Sequence, residues 1–341
     1  IITQSISLNV NNDLKDELDE TIILTLSNPT NTSLGANTTH TYTIIDDDLP
    51  PTVSFTSLSQ SLSENGGTIT VTAQLSAVSD LPVTVPFTVN AASSATGGGT
   101  DYSITASPLT IAVGSTTATI TINLINDSID EPDETIVIDI GNPTNATALG
   151  TISHTATITD DDATPTVSLT AASQSSSENG GTMTVTAQLS AASGFVVSVP
   201  FTINATSTAT GGGTDYSITA SPLSIPAGST TTTITITPTN ETLYEADETV
   251  IIDLGIPTNA TLSGTTTHTA TITNDDPLPT ISFTSGTTIS ATENVGNYSL
   301  SVTLSAVSAL AASVTLNTSN GTASSGSDYT AQTAQTITIP V

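Results

Sequence analysis

The stretch TITVTAQL at residues 68–75 puts Ile69, Val71, Ala73 and Leu75 on one side of the chain and Thr or Gln on the other. That period-two alternation is the mark of a strand with one face in a core and one in water. It is repeated outward in both directions. Val83, Val85, Phe87 and Val89 alternate in the same way, as do Ala118, Ile120, Ile122 and Leu124, then Ile136, Ile138 and Ile140, then Ala156 and Ile158. With a first strand near 52–57 and a short one near 102–111, this gives roughly seven strands between turns at Gly66-Gly67, Gly97-Gly98-Gly99, Gly114 and Asn142-Pro143. No segment carries a helix-period stripe. Each sheet has to bury one face against another, so the sequence predicts an all-β fold of tandem immunoglobulin-like, seven-stranded antiparallel β-sandwiches.

The tandem arrangement comes from an internal repeat of about 114 residues. ENGG at 64–67 returns at 178–181, and GGGTDYSITASPL at 97–109 returns at 211–223. Proline-containing linkers follow each terminal acidic run, which divides the chain into two full repeats, 49–162 and 163–276. Residues 1–48 match the second half of a repeat and 277–341 the first half. This register implies that both ends fall within a repeat. The short linkers favour units held end to end as a rod.

Charge supplies the functional signal. Of 31 acidic residues, all but Asp80, Asp139 and Asp253 belong to one recurring acidic pattern, against one Lys and no Arg, for a formal charge of −30. Nucleic acid and anionic membrane are poor partners for such a chain. The absence of Cys excludes disulfides and thiolate chemistry, and no apolar run is long enough to span a bilayer. The acids sit at strand ends and in loops: Glu64, Asp101, the run from Asp127 to Glu134, and Asp160–Asp162. Strands returning repeatedly to one pole would gather them there, where they would repel and raise one another's pKa values unless cations intervened. Calcium takes six to eight oxygen ligands and suits such a cage, with on the order of two to four ions per pole. Magnesium demands a stricter octahedron, and zinc prefers Cys or clustered His. Acids serving only solubility would be scattered over the strand faces, which here carry Thr and Ser.

The motifs SENGG around Glu64 and Glu178, GTDY at 99–102 and 213–216, NDSIDEPDET at 126–135, ETLYEADET at 241–249 and the terminal acidic runs resemble the Calx-β domain. The resemblance covers essentially the whole chain. It implies a seven-stranded sandwich that binds calcium at the pole from which the chain exits. It further implies a ligand set of Glu64, Asp101, Asp127, Glu131, Glu134, Asp160, Asp161 and Asp162, with the backbone carbonyl of Ile129. The matching set in the next repeat is Glu178, Asp215, Glu241, Leu243 (backbone), Glu245, Glu248, Asp275 and Asp276. Asn274 stands there in place of the first terminal acid, and Glu241 in place of an Asp, so fewer or weaker ions are expected. In the first half-repeat the set is Asp13, Glu17, Glu20, Asp46, Asp47 and Asp48, with Lys15 at the backbone-ligand position and its side chain free to point outward. Glu293 and Asp328 are the corresponding contributors in the last half.

No catalytic residues are expected. His40, His154 and His268 occur once per repeat and read as structural, Tyr102 and Tyr216 as packing that holds the preceding Asp, and Gly97–Gly99 lacks the Lys and helix of a phosphate loop. The function expected from the sequence is a calcium-stiffened structural segment of a secreted or cell-surface protein: an adhesin stalk, matrix component or filament subunit. Its partners would be calcium and neighbouring repeats end to end, with self-association through strand exchange between subunits as a variant. The alternative is a reversible calcium-sensing module that regulates a partner domain.

Overall fold

The computed structural model describes residues 2–341. They divide into two compact units, the first ending at Ala163 and the second running Thr164–Val341. In the first unit, residues 49–162 form two facing sheets. One has five strands in the order Thr147–Ala148, Thr52–Phe55, Thr68–Leu75, Thr117–Leu124, Tyr102–Ile104. The other has four, in the order Ser59–Ser63, Ser153–Thr159, Glu134–Ile140, Phe87–Val89. A small pairing of Val83–Val85 with Leu109–Ile111 closes one side.

The alternation in the sequence is the alternation of burial. Ile69, Val71, Ala73 and Leu75 are all buried, and the Thr and Gln between them are not. Ile122, Ile136, Ile138 and Ala156 meet them from the other strands in one apolar cluster. Each buried Ile, Val or Leu side chain among them contributes about 1.5–3 kcal/mol, so the fold rests on this core and not on its acidic ends. In the second unit residues 163–276 repeat the pattern, with sheets centred on Met183–Leu189 and Thr231–Pro238 and on Glu248–Leu254 and Thr267–Thr273.

The strictly antiparallel, seven-stranded expectation needs correction. Ser59–Ser63 runs parallel to Ser153–Thr159, and Thr147–Ala148 runs parallel to Thr52–Phe55. The physical reason is that three of the expected strands each divide between sheets. The first leaves its sheet after Phe55 and enters the other at Ser59. His154 holds the crossing: its Nδ1 lies 2.8 Å from the Ser57 carbonyl, which can only accept, so Nδ1–H donates. The ring packs edge-on to Phe55 at 6.0 Å. His268 makes the same bond to the Ala171 carbonyl at 2.7 Å. Pro86 divides the strand expected at 83–89, because it supplies no amide to a ladder, and the one expected at 102–111 divides between Tyr102–Ile104 in the five-stranded sheet and Leu109–Ile111 in the small pairing.

The flanking segments are hairpin-like. Glu20–Thr25 pairs with Thr39–Ile44 in the first unit. Ile281–Phe283 pairs with Val302–Leu304, and Ala312–Leu316 with Gln335–Ile339, in the second. Among the described residues no helix is long and apolar enough to cross a membrane.

Candidate metal centre

Four chain segments build the acidic pole of residues 49–162. The strand Ser59–Ser63 ends in a single 3-10 turn, Glu64–Gly66, which tucks the Glu64 side chain inward until it is 8% exposed. The triple glycine brings in Asp101. Gly98 and Gly99 take φ of 83° and 101°, which only glycine adopts freely, and a Cβ on Gly97 would lie 3.1 Å from the Tyr102 hydroxyl. Tyr102 is buried beneath, and Asp101 accepts the Thr96 amide, so the aspartate is held by its own loop. The loop before Glu134–Ile140 brings Asp127, Glu131 and Glu134, and the end of Ser153–Thr159 brings Asp160–Asp162.

These side chains converge. Carboxylate oxygens of Glu64, Asp160 and Asp162 lie within 4.8 Å of one another. Glu64, Asp101, Glu131, Glu134 and Asp160 line one small cavity with Pro132 and Ile158. Main-chain donors brace the rim: the Ile129 amide donates to Asp127 at 2.8 Å, the Glu131 amide to Asp160 at 3.2 Å, and the Asp160 amide to Asp133 at 3.2 Å. Asp161 is the outer member and accepts from the Asn65 side chain. Two oxygens at the site, Glu64 Oε1 and Asp162 Oδ2, are buried without a hydrogen-bond partner. Burial, then the charges of Asp127 and Asp162, push the Glu64 carboxyl up to about 7. Burial, then a hydrogen bond shared with Asp101 and the charges around it, push Glu134 up to about 7 as well. Glu131 is raised by burial and by Asp127, Asp101, Asp160 and Asp162.

The second unit builds the same pole with different emphasis. Oxygens of Glu178, Glu241 and Glu245 lie within 4.8 Å of one another. Glu178 is pushed up to about 7 by burial and by Glu241, Glu245, Asp275 and Asp276. Glu248 is pushed up to about 7 by burial and its hydrogen bond with Asp215. Glu178 Oε2, Glu241 Oε1, Glu248 Oε2 and Asp276 Oδ2 are buried without partners. The Leu243 amide donates to Glu241 at 2.7 Å. Asn274 accepts the Glu245 amide at 3.4 Å, and its amide group donates to the Asp276 carbonyl at 3.2 Å.

The first half-repeat brings its residues together more openly. Partial desolvation, then Glu20, Asp13, Asp80 and Asp46, raises Glu17, and partial desolvation, then Asp47, Asp46, Asp13 and Asp16, raises Asp48. Lys15 points away to Asp80, with Nζ 3.4 Å from Oδ2. Glu293 and Asp328 are not gathered into such a group: Glu293 is exposed, and Asp328 accepts the Ser324 amide at 2.8 Å.

Some participants escaped the sequence reading. Asp133, with its counterparts Asp19 and Asp247, ties the loop to the last strand by accepting the amides of Asp160, Asp46 and Asn274. Asn65 and Asn179 hold Asp161 and Asp275. Their signal was the Asn after each conserved-register Glu in ENGG. Asp139 and Asp253, one repeat apart and away from the pole, have matching local partners: Asp139 accepts from Asn90 at 2.6 Å and Asp253 from Asn204 at 2.7 Å.

The fold and site define a tandem β-sandwich array whose poles concentrate carboxylates without an internal cation. The Calx-beta domain profile matches residues 46–162, 160–277 and 274–337, and the chain belongs to that family. Calx-beta domains are non-catalytic calcium-binding repeats, so the chain is a non-enzymatic repeat protein. No curated protein matches it. Among solved structures, CBD12 from CALX1.2 is 18% identical with a TM-score of 0.31, covering 65% of this chain and 99% of that one. The calcium binding domain CBD12 of CALX1.1 is 19% identical with a TM-score of 0.30, covering 64% and 98%.

Proposed function

We propose that this chain is a calcium-binding tandem-repeat module whose acidic poles load and release Ca²⁺ reversibly. The observation that carries this is the buried, partnerless Glu64 Oε1 among the oxygens of Asp160 and Asp162. Converging carboxylate oxygens, one of them buried with no donor, fit a hard dication. The repeats are taken as 49–162 and 163–276, flanked by 1–48 and 277–341. Glu64, Asp101, Asp127, Glu131, Glu134, Asp160, Asp161, Asp162 and the Ile129 carbonyl would hold ions in the first. Glu178, Asp215, Glu241, Glu245, Glu248, Asp275, Asp276 and the Leu243 carbonyl would do so in the second, and Asp13, Glu17, Glu20 and Asp46–Asp48 in the leading half. Calcium would supply the positive charge that lets these groups stay ionised while close together.

Membership of a calcium-binding family favours reversible response over a purely mechanical role as the primary reading. A structural stiffener of a secreted or cell-surface protein is the second reading. It is supported by the identity of GGGTDYSITASPL in the two full repeats, since a spacer needs no specialised unit. A calorimetric calcium titration separates them: micromolar affinity supports the responsive module, millimolar affinity the stiffener. In the same titration, Glu131→Gln combined with Asp161→Asn should remove binding at that pole while the far-ultraviolet circular dichroism stays that of the native sheets. Retained binding there would refute the ligand assignment.

A further inference from the structure

The acidic loops also hold a main-chain contact that is repeated in both units. In the first unit the carbonyl of Asp16 accepts the Asp80 amide at 3.2 Å, and Ser79 Oγ lies 3.3 Å from that carbonyl and 3.4 Å from Asp16 Oδ2. In the second, the carbonyl of Tyr244 accepts the Ala309 amide at 2.9 Å and lies 3.3 Å from Ser308 Oγ, and Tyr244 and Ser308 form a parallel β-bridge. Asp16 and Tyr244 stand at the same register, each immediately before a proposed calcium ligand, Glu17 or Glu245.

The receiving side is equally repeated. Ser79 Oγ accepts the Leu81 amide at 3.0 Å, and Ser308 Oγ accepts the Leu310 amide at 3.0 Å. The hydroxyl thus folds a short turn and leaves the amide between, Asp80 or Ala309, to donate to the incoming loop. Ser193 closes the same turn on the Phe195 amide at 3.1 Å. Ser79 is 1% exposed and Asp16 8%, an unusual depth for two polar residues from separate repeats. The side chains at the contact differ, Asp against Tyr on the loop and Asp against Ala on the turn, but the main-chain bonds are the same.

We propose that this serine turn is a docking receptor that reads the main chain of the preceding repeat's acidic loop. Its partner is any repeat of this kind whose loop presents a free carbonyl at that register, whatever the side chain. The Lys15–Asp80 ion pair adds to the contact in the first unit only; being half-exposed, it adds little. The receptor goes beyond calcium binding, because neither Ser79, Ser308 nor the two carbonyls belong to the proposed ligand set.

Amide hydrogen exchange on the full chain tests it. Ser79→Ala and Ser308→Ala should speed exchange at Asp80 and Ala309 roughly tenfold or more, with Ile136 and Val250 in the cores unchanged. Ser→Thr at either site should restore protection, and Tyr244→Ala should leave Ala309 protected. Unchanged exchange in the Ser→Ala variants, or lost protection in Tyr244→Ala, would overturn the proposal. Calcium titration of Ser308→Ala should match the parent chain. Lost binding there would show that lock and ion site are one device and sink the claim of a separate receptor. A parent chain that binds no calcium but keeps the exchange pattern would sink the calcium reading alone.

Discussion

Chelator-stripped protein returned to millimolar calcium should unfold at least ~10 °C higher than in chelator. A ligand that binds only the folded state stabilises it by about 2.7 kcal/mol per site at a hundred times its dissociation constant. For domains between about 60 and 250 residues 1 kcal/mol moves the midpoint by roughly 2–8 °C. The unfolded chain disperses the four segments that carry Glu64, Asp101, Glu131 and Asp160, so it has no comparable site. Magnesium at the same concentration should give a clearly smaller shift, because a crowded cage of loop carboxylates does not offer its octahedron. Equal midpoints with and without calcium would remove the basis for the proposed function.

The second large effect is a pH dependence with the sign opposite to ordinary acid denaturation. Glu64 and Glu134 titrate near 7 in the folded chain, above the usual 4.5. Between those values the folded state holds more protons than the unfolded state. Stability from these groups is therefore full below the unfolded value and lost as pH rises through the folded one. Glu178 and Glu248 act in the same direction in the second unit. Without divalent ions, the midpoint at about pH 5.5 should exceed that at about pH 8.5 by roughly 5 °C or more. Saturating calcium should flatten or reverse the slope, because the ion favours the ionised carboxylates. Glu134→Gln separates the two contributions. It should raise the ion-free midpoint at the higher pH and lower the midpoint in calcium relative to the parent chain. A substitution that lowered both would mean Glu134 serves the fold and not the ion.

These effects were legible in the sequence because the core and the pole are written in separate alphabets. Ile69, Val71, Ala73 and Leu75 spell a strand by period alone, and the buried faces follow that spelling. The acids of the pole were legible because a 114-residue recurrence at loop positions cannot come from surface charge placed at random. Strand direction was harder to read. A period-two pattern does not say which neighbour a strand takes, so the passage of the first strand from one sheet to the other between Phe55 and Ser59 left no mark in hydropathy. His154 marked it chemically, yet its Ser57 partner is a main-chain atom that any residue would supply. The same blindness hid the Asp16 and Tyr244 contacts, where carbonyl and amide do what side-chain identity does not reveal. The carboxylates that converge at the pole carried a signal in their spacing, whereas the bracing roles of Asp133 and Asn65 depend on distances that only the folded loops define.

The most direct test is a crystal structure grown with calcium, with ions located by anomalous scattering. The account predicts peaks inside the pole of residues 49–162, coordinated by oxygens of Glu64, Glu131, Glu134 and Asp160–Asp162 at about 2.3–2.6 Å. Those carboxylates turned outward into solvent, with no ion between them, would contradict it.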